Sequence, residues 1–215
     1  DTGDIPPGRK AMKVIGVCGS PRRAGNTEYA VQYTLDRLAA QGIETELIRL
    51  CDQHITYCTA CYQCVQQKKC TINDDLEAVF QKIEAADGLI MASPVYHASV
   101  TPLIKCLMDR LGFSGRWREN AMQAVDTAYQ FKGTPFSGKV GAAITVARRA
   151  GTTSAFSDLL LWFTVNDFIV VGSGYWTMLL AGKGGAVNAS EDTEGLANLD
   201  HLADNMAGLI KKLKQ

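Results

Sequence analysis

Four of the seven cysteines crowd into thirteen residues, as Cys58, Cys61, Cys64 and Cys70 in a C-x2-C-x2-C-x5-C row. That spacing is poor geometry for paired structural disulfides and good geometry for gathering ligands, because one short loop can turn several thiolates toward one centre. Four thiolates suit a four-cysteine iron–sulfur site, in which the loop wraps a cubane and reaches its corners. Structural zinc matches less well, since its usual pattern is two knuckles separated by a longer spacer. A row of buried or redox-active thiols without metal is the third reading. Cys51 is a candidate substitute ligand, whereas Cys18 and Cys106, each in an apolar run, read as small core residues. The odd cysteine count and the crowding favour a reducing compartment, and hence a cytoplasmic address.

A second group is Gly19-Ser20-Pro21-Arg22-Arg23-Ala24-Gly25-Asn26-Thr27. Ser20, Asn26 and Thr27 offer side-chain donors, a helix starting near Asn26 would aim free backbone N–H groups outward, and the arginines add charge that a phosphate dianion favours. No Gly-Lys-Ser/Thr follows, so it is not a Walker loop, and Gly19 and Gly25 stand too far apart for the dinucleotide fingerprint. The bland alternative is a polar turn with a helix cap. A third group, Ser93-Pro94-Val95-Tyr96-His97, ends another apolar run. His97 is a candidate to hydrogen-bond or protonate beside a ligand and equally a packing residue, while His54 and His201 read as surface.

The elements that must position these groups follow from periodicity. Lys13 to Cys18, Ile43 to Leu50, Gly88 to Ser93, Lys139 to Ala147 and Phe168 to Val171 read as strands. Between and after them, helical spacing marks Asn26 to Ala40, a segment from Leu76 capped by Asn73 or Asp74, Pro102 to Leu111, Ser154 to Val165, and Leu196 to Leu213. Five strands alternating with five helices, joined by right-handed crossovers, predict an α/β fold with a doubly wound, five-stranded parallel sheet covered on both faces. Ligands of such sheets bind beyond the strands' carboxyl ends, where the strand order reverses.

Composition narrows the rest. With 215 residues, 47% of them apolar, and 22 basic against 22 acidic residues, the chain is neither a disordered polymer nor a disulfide scaffold. Its apolar runs fall short of the ~20 residues a membrane helix needs. Zero net charge supplies no field for nucleic acid or an anionic membrane, so small-molecule chemistry is expected. Residues 1–11 read as a flexible extension, and 12–215 as a single domain with a cysteine-rich loop at 51–70.

The run G-S-P-R-x-x-G-N-T after the first strand, A-D-G-L-I-x-A-S-P-V-Y at the third, and L-I-K-x-x-x-D-R in the next helix together resemble the NADPH-dependent FMN reductase family of flavodoxin-like proteins. The cysteine row after strand two is similar to that of its iron–sulfur flavoprotein branch, which carries a four-iron cluster beside FMN. The resemblance implies an FMN phosphate held by Ser20, Arg22, Gly25, Asn26 and Thr27, and an isoalloxazine ring lined by Pro94, Val95, Tyr96 and His97. A loop after strand four, with Ala147, Arg148, Gly151 and Thr152, would complete the ring site, although its Arg148-Arg149 pair departs from the family pattern. It implies Cys58, Cys61, Cys64 and Cys70 as ligands of a 4Fe–4S cluster.

The implied activity is an oxidoreductase passing electrons from NAD(P)H or a ferredoxin-like partner through FMN to a small acceptor such as a quinone or free flavin. Flavin carries that chemistry, so no acid or base residue is assigned. A homodimer or homotetramer is expected, and the aromatic segments 113–138 and 174–185 are expected near the flavin edge as lids, pockets or subunit contacts. Two other classes are a passive flavodoxin-like carrier, against which the balanced charge speaks, and a redox-sensing protein using the cysteine row as a switch.

Overall fold

The computed structural model describes residues 11–118, 122–125 and 128–215, so the expected N-terminal extension lies, but for Ala11, outside the described residues. The chain runs β1 (Lys13–Cys18), α1 (Asn26–Ala39), β2 (Glu44–Arg49), a short α2 (Gln63–Gln67), α3 (Leu76–Ala85), β3 (Gly88–Pro94) and α4 (Pro102–Trp117). It continues through a hairpin, β4 (Met122–Val125) and β5 (Ala128–Phe131), to β6 (Val140–Ala147), α5 (Thr152–Val165), β7 (Ile169–Val170), β8 (Met178–Leu180) and α6 (Thr193–Leu213). The main sheet has the order β2-β1-β3-β6-β7, with β8 also pairing β6, and every pairing in it is parallel. This is a flavodoxin-like α/β fold with a doubly wound parallel sheet. The strand order reverses between β1 and β3, which places a crevice at their carboxyl ends.

The central strands are almost continuously apolar because both of their faces are covered. Successive side chains part to opposite faces: Val14 packs with α1 and α6, while Ile15 and Val17 pack with α3, α4 and α5. Each face has its own cluster of buried residues, and β6 is buried along its whole length.

The fifth strand differs from expectation. β7 pairs only with Val140 and Gly141, the chain then leaves the sheet, and β8 returns to pair with Thr145, Val146 and Ala147. Gly172, Ser173 and Gly174 hold the backbone cheaply outside a ladder. The carbonyl of Ala143, left without a strand partner opposite the gap, accepts instead from the Thr177 hydroxyl.

α4 also runs six residues beyond the expected Leu111, so the following connection is shorter than its sequence suggested. Phe136, from that connection, is fully buried against Phe80 and Phe168, with ring centroids 5.4 and 5.3 Å apart. Among the described residues no helix is long and apolar enough to cross a membrane.

Candidate functional site

Beyond the carboxyl ends of β1, β3 and β6 lies a cavity of ≈730 Å³. Ser20, Arg22, Gly25, Asn26 and Thr27 line it from the β1–α1 loop, Pro94, Val95 and Tyr96 from the end of β3, and Ala147 and Arg148 from the end of β6. His97, Gly151 and Thr152 are not among its lining residues. Gly151 nonetheless shapes the wall: it begins α5 at φ +86°, and a Cβ there would stand 3.0 Å from Val95 Cγ1 and 3.1 Å from Ala98 Cα.

The loop is shaped by few contacts. The Gly19 N–H donates to the Ala92 carbonyl at 2.8 Å, joining β1 to β3, and the Gly19 carbonyl accepts from the Thr101 hydroxyl at 2.7 Å. Thr101 also caps α4, so one side chain fixes both the phosphate-type loop and the helix behind it. Ser20 Oγ accepts from the Arg22 N–H at 3.1 Å, and the Ala24 N–H donates to Glu28 at 2.8 Å. No side chain caps α1, which leaves its first-turn N–H groups available where residues 25–27 face the cavity.

The far wall extends beyond the expected 174–185 segment. Gly182, Gly184 and Gly185 belong to the segment expected near the ligand, but Ala186, Asn188 and Glu191 beyond it also line the cavity. Asn26 ties this wall to α1, its amide donating to the Val187 carbonyl at 2.8 Å and accepting from the Ala189 N–H at 3.1 Å. Arg22 reaches the Gly184 carbonyl at 3.4 Å. From the 113–138 segment no described residue lines this cavity.

Tyr96, His97, Ala98 and Ser99 form a tight turn closed by reciprocal backbone bonds of 2.9 and 3.0 Å. His97 and Ala98 both adopt the left-handed region, at φ +48° and +60°. His97 is exposed on this turn.

A second cavity, of ≈300 Å³, is lined by all four cysteines of the row together with Asp109 and Phe113 of α4. Its loop is short of regular structure and turns through left-handed residues at Ala60, Tyr62 and Lys68. Tyr62 packs edge-on against Phe113, with centroids 5.7 Å apart. The Gln63 N–H at the start of α2 holds the exposed Cys61 thiol below its ordinary range, aided by the Thr59 hydroxyl, whereas burial and then the neighbouring Cys70 push Cys64 up. Burial raises Cys51 and Cys106, and pushes the fully buried Cys18 up to about 11. Cys106 is partly exposed and so lies less deep than expected of a core residue.

Sequence reasoning missed what holds this loop. Arg110 of α4, 1% exposed, forms a two-pronged ion pair with Asp74, whose side chain is fully buried. The same guanidinium donates to the Thr56 carbonyl at 3.0 Å and to Cys70 Sγ at 3.2 Å. Asp74 does accept from the Leu76 N–H at 3.2 Å, as a cap would, but its oxygens also take the Thr56 N–H at 3.0 Å and the guanidinium. Burial pushes the Asp74 carboxyl up, yet Arg110 and the two N–H groups outweigh it and hold the group below the usual range.

The model of the NADPH-dependent FMN reductase family matches residues 12–182. The chain is 33% identical over 209 residues to an iron–sulfur flavoprotein of Methanocaldococcus jannaschii, covering 95% of this chain and 100% of that protein. The chain belongs to the NADPH-dependent FMN reductase family, in its iron–sulfur flavoprotein branch. An iron–sulfur flavoprotein of Methanosarcina thermophila is 28% identical, over 95% of this chain and 98% of its own. Among solved structures, RosB with bound 8-demethyl-8-formylriboflavin-5'-phosphate superposes with a TM-score of 0.70 at 18% identity, over 94% of this chain and 80% of that one. An archaeal flavodoxin gives 0.59 at 14%, over 93% and 99%. These two likenesses concern the fold.

Membership makes the chain a flavoprotein oxidoreductase, and the first cavity fits that family's cofactor. An uncapped helix N-terminus, the Ser20 hydroxyl and Arg22 together offer what a phosphate dianion needs. For the second cavity the donor set is four cysteines that are all free. Among the described residues, no three His, Cys, Asp or Glu side chains converge closely enough to hold a metal ion. Cys58, Cys61, Cys64 and Cys70 nevertheless all line one cavity, and a four-cysteine set is the donor chemistry that an iron–sulfur cluster takes.

Proposed function

We propose that the chain is an FMN-dependent oxidoreductase that passes electrons from NAD(P)H or a ferredoxin-like donor to a small acceptor such as a quinone or flavin. We assign a 4Fe–4S cluster to Cys58, Cys61, Cys64 and Cys70. The observation that carries this reading is the cavity at the switch point of the sheet, bounded by the Ser20–Thr27 loop, the Pro94–Tyr96 segment and Ala147–Arg148. Flavin supplies two-electron hydride chemistry and its coupling to one-electron exchange. The residues contribute binding and placement. Ser20, Arg22 and the first-turn N–H groups of α1 hold the phosphate, and the rigid turn beyond Tyr96 presents Pro94, Val95 and Tyr96 to the ring. Ala147 and Arg148 bound the opposite side, and Gly151 packs closely behind Val95. The 182–191 wall, tied down by Asn26, limits solvent access to the cavity.

The cysteine row lies on the connection that leaves β2, and α4 joins the two cavities, its cap Thr101 bonding the Gly19 carbonyl and its Asp109 and Phe113 lining the second. The names of the relatives support the cluster assignment. Exposed Leu161 and Val165 on α5 support a homodimer or homotetramer, and the cysteine usage supports a cytoplasmic address.

The test is purification without oxygen, followed by a visible spectrum with iron and acid-labile sulfide assays. Flavin bands with about four irons per chain are expected. Flavin without iron overturns the cluster assignment, and colourless protein unable to take up FMN overturns the reading of the first cavity. Stopped-flow bleaching by NADPH or NADH tests the donor, and failure of both shifts the assignment to protein-borne electrons.

A further inference from the structure

The geometry points to Arg110 as the positioning residue of the cysteine site, which singles out Cys70 from the other three cysteines and raises the reduction potential of the group they hold. This rests on the proposed cluster reading of the second cavity. Arg110 comes from outside the cysteine row, from the middle of α4, and its side chain is 1% exposed. Its guanidinium serves both limbs of the loop at once. On the entering limb it donates to the carbonyl of Thr56, two residues before Cys58, and on the leaving limb to Cys70 Sγ and to Asp74. Of its nitrogens, Nε alone is buried without a partner.

A purely structural clasp would not need this chemistry. A buried ion pair is commonly no more stabilising than well-packed apolar residues of the same volume, so its stability contribution gives little reason for a charge here. The pair does supply a direction. Asp74 fixes the guanidinium from one side, in a planar fork that Arg alone among side chains offers, and leaves Nη2 aimed at Cys70. An N–H bond to a ligand sulfur stabilises the more negative, more reduced state of an iron–sulfur group and so raises its potential. Cys58 and Cys61, by contrast, are exposed and Cys61 is held by local backbone and hydroxyl groups. The four cysteines are therefore electrostatically unequal, and Cys70 is the one at which added negative charge would be best stabilised.

The test compares wild type, Arg110→Lys and the double variant Arg110→Gln with Asp74→Asn. Lys retains the charge without the fork, and the double variant removes both charges so that neither is left alone. FMN content and near-UV circular dichroism report that each variant is folded. The readouts are the cluster's reduction potential by spectroelectrochemical titration and the rate of iron loss to a chelator. Both variants are expected to shift the reduction equilibrium at least tenfold toward the oxidised form, about 59 mV for one electron, while the FMN potential stays as in wild type. Wild type itself, grown with 15N-arginine and reduced, is expected to show a nitrogen hyperfine coupling at the cluster.

Folded variants with four irons and the wild-type potential overturn the inference and leave the cluster reading intact. Wild type without iron overturns the cluster reading, and the inference falls with it. If neither variant folds, the 15N measurement on wild type decides, and absence of the coupling overturns the inference.

Discussion

The two cavities are joined by one helix, α4, and are built by opposite means. The first is bounded by strand ends whose positions are set by the ladder: Cys18 pairs with Ala92, and Ser93 and Pro94 pair with Thr145 and Val146. Two of its walls, the ends of β3 and β6, are set by that ladder, and side chains such as Thr101 and Asn26 tie the neighbouring loops to it. The second is bounded by a loop with one five-residue helix, and its two limbs meet on one guanidinium. α4 serves both. Its cap Thr101 holds the first loop, and Arg110, roughly 13 Å further along at 1.5 Å per residue, holds the second. A site made by sheet register distributes its tolerance, whereas one made by a clasp concentrates its vulnerability.

The largest expected effect therefore lies at the clasp. Arg110→Met leaves the buried Asp74 carboxylate without its counter-charge and is expected to cost about 3–5 kcal/mol in denaturant unfolding. Adding Asp74→Asn should recover a large part of that loss, which a mere packing defect would not allow. The pair also has a pH signature. The folded Asp74 pKa is lowered, so its stabilisation is complete above the ordinary carboxylate range and is lost as pH falls through the depressed folded value. In that acid window stability should rise with pH more steeply in wild type than in Asp74→Asn. Equal slopes would remove the ion pair from the account of the loop.

The first cavity answers to backbone changes instead. Gly151→Ala places a Cβ at φ +86° against Val95 and Ala98, and is expected to cost about 1–3 kcal/mol and to weaken FMN retention by pushing Val95 inward. Unchanged FMN affinity would show that Val95 is not part of the ring wall. Thr101→Val removes the donor to the Gly19 carbonyl and the cap of α4, for about 1–2 kcal/mol. Because Thr101 belongs to the shared helix, FMN loss should accompany the drop in thermal stability while the cysteine cavity persists. Iron loss ahead of FMN loss would contradict the division of α4 into two supports.

The same contrast explains what could be read in advance. Strand ends announce themselves as apolar runs stopping at Gly19 or Ser93, and the sequence alone marks the loops after them as the place for a site, although His97, Gly151 and Thr152 do not line the cavity. The cysteine row was equally plain. Its support was not, because an aspartate before a helix looks like a cap and an arginine within a helix looks solvated. A signal did exist: Arg110 lies three residues after Leu107 and four before Ser114, beside the apolar stripe, where a charge needs a partner. The interrupted fifth strand and the wall at 186–191 were hidden for another reason. Both depend on which part of β6 a later segment returns to, and no local periodicity encodes that.

The smallest expected effect tests whether the first cavity also hides a concentrated element. Ala98 sits at φ +60° in the turn after Tyr96, a conformation that costs an L-residue about 1–2 kcal/mol. Ala98→Gly removes that strain and adds back some unfolded-chain entropy, so a net gain of about 0.5–1 kcal/mol is expected, or a few degrees in Tm. The strain has an evident holder: Ser99 bonds Asp158 of α5 at 2.7 Å, and the turn's reciprocal backbone bonds pass that anchorage to Tyr96. If this tension keeps Tyr96 against the ring, the stabilised variant should bind FMN several-fold more weakly, measured by quenching of flavin fluorescence. A gain in Tm with unchanged FMN affinity would mean that register alone forms the wall. The cavity would then have no counterpart to Arg110, and the contrast between the two sites would be complete.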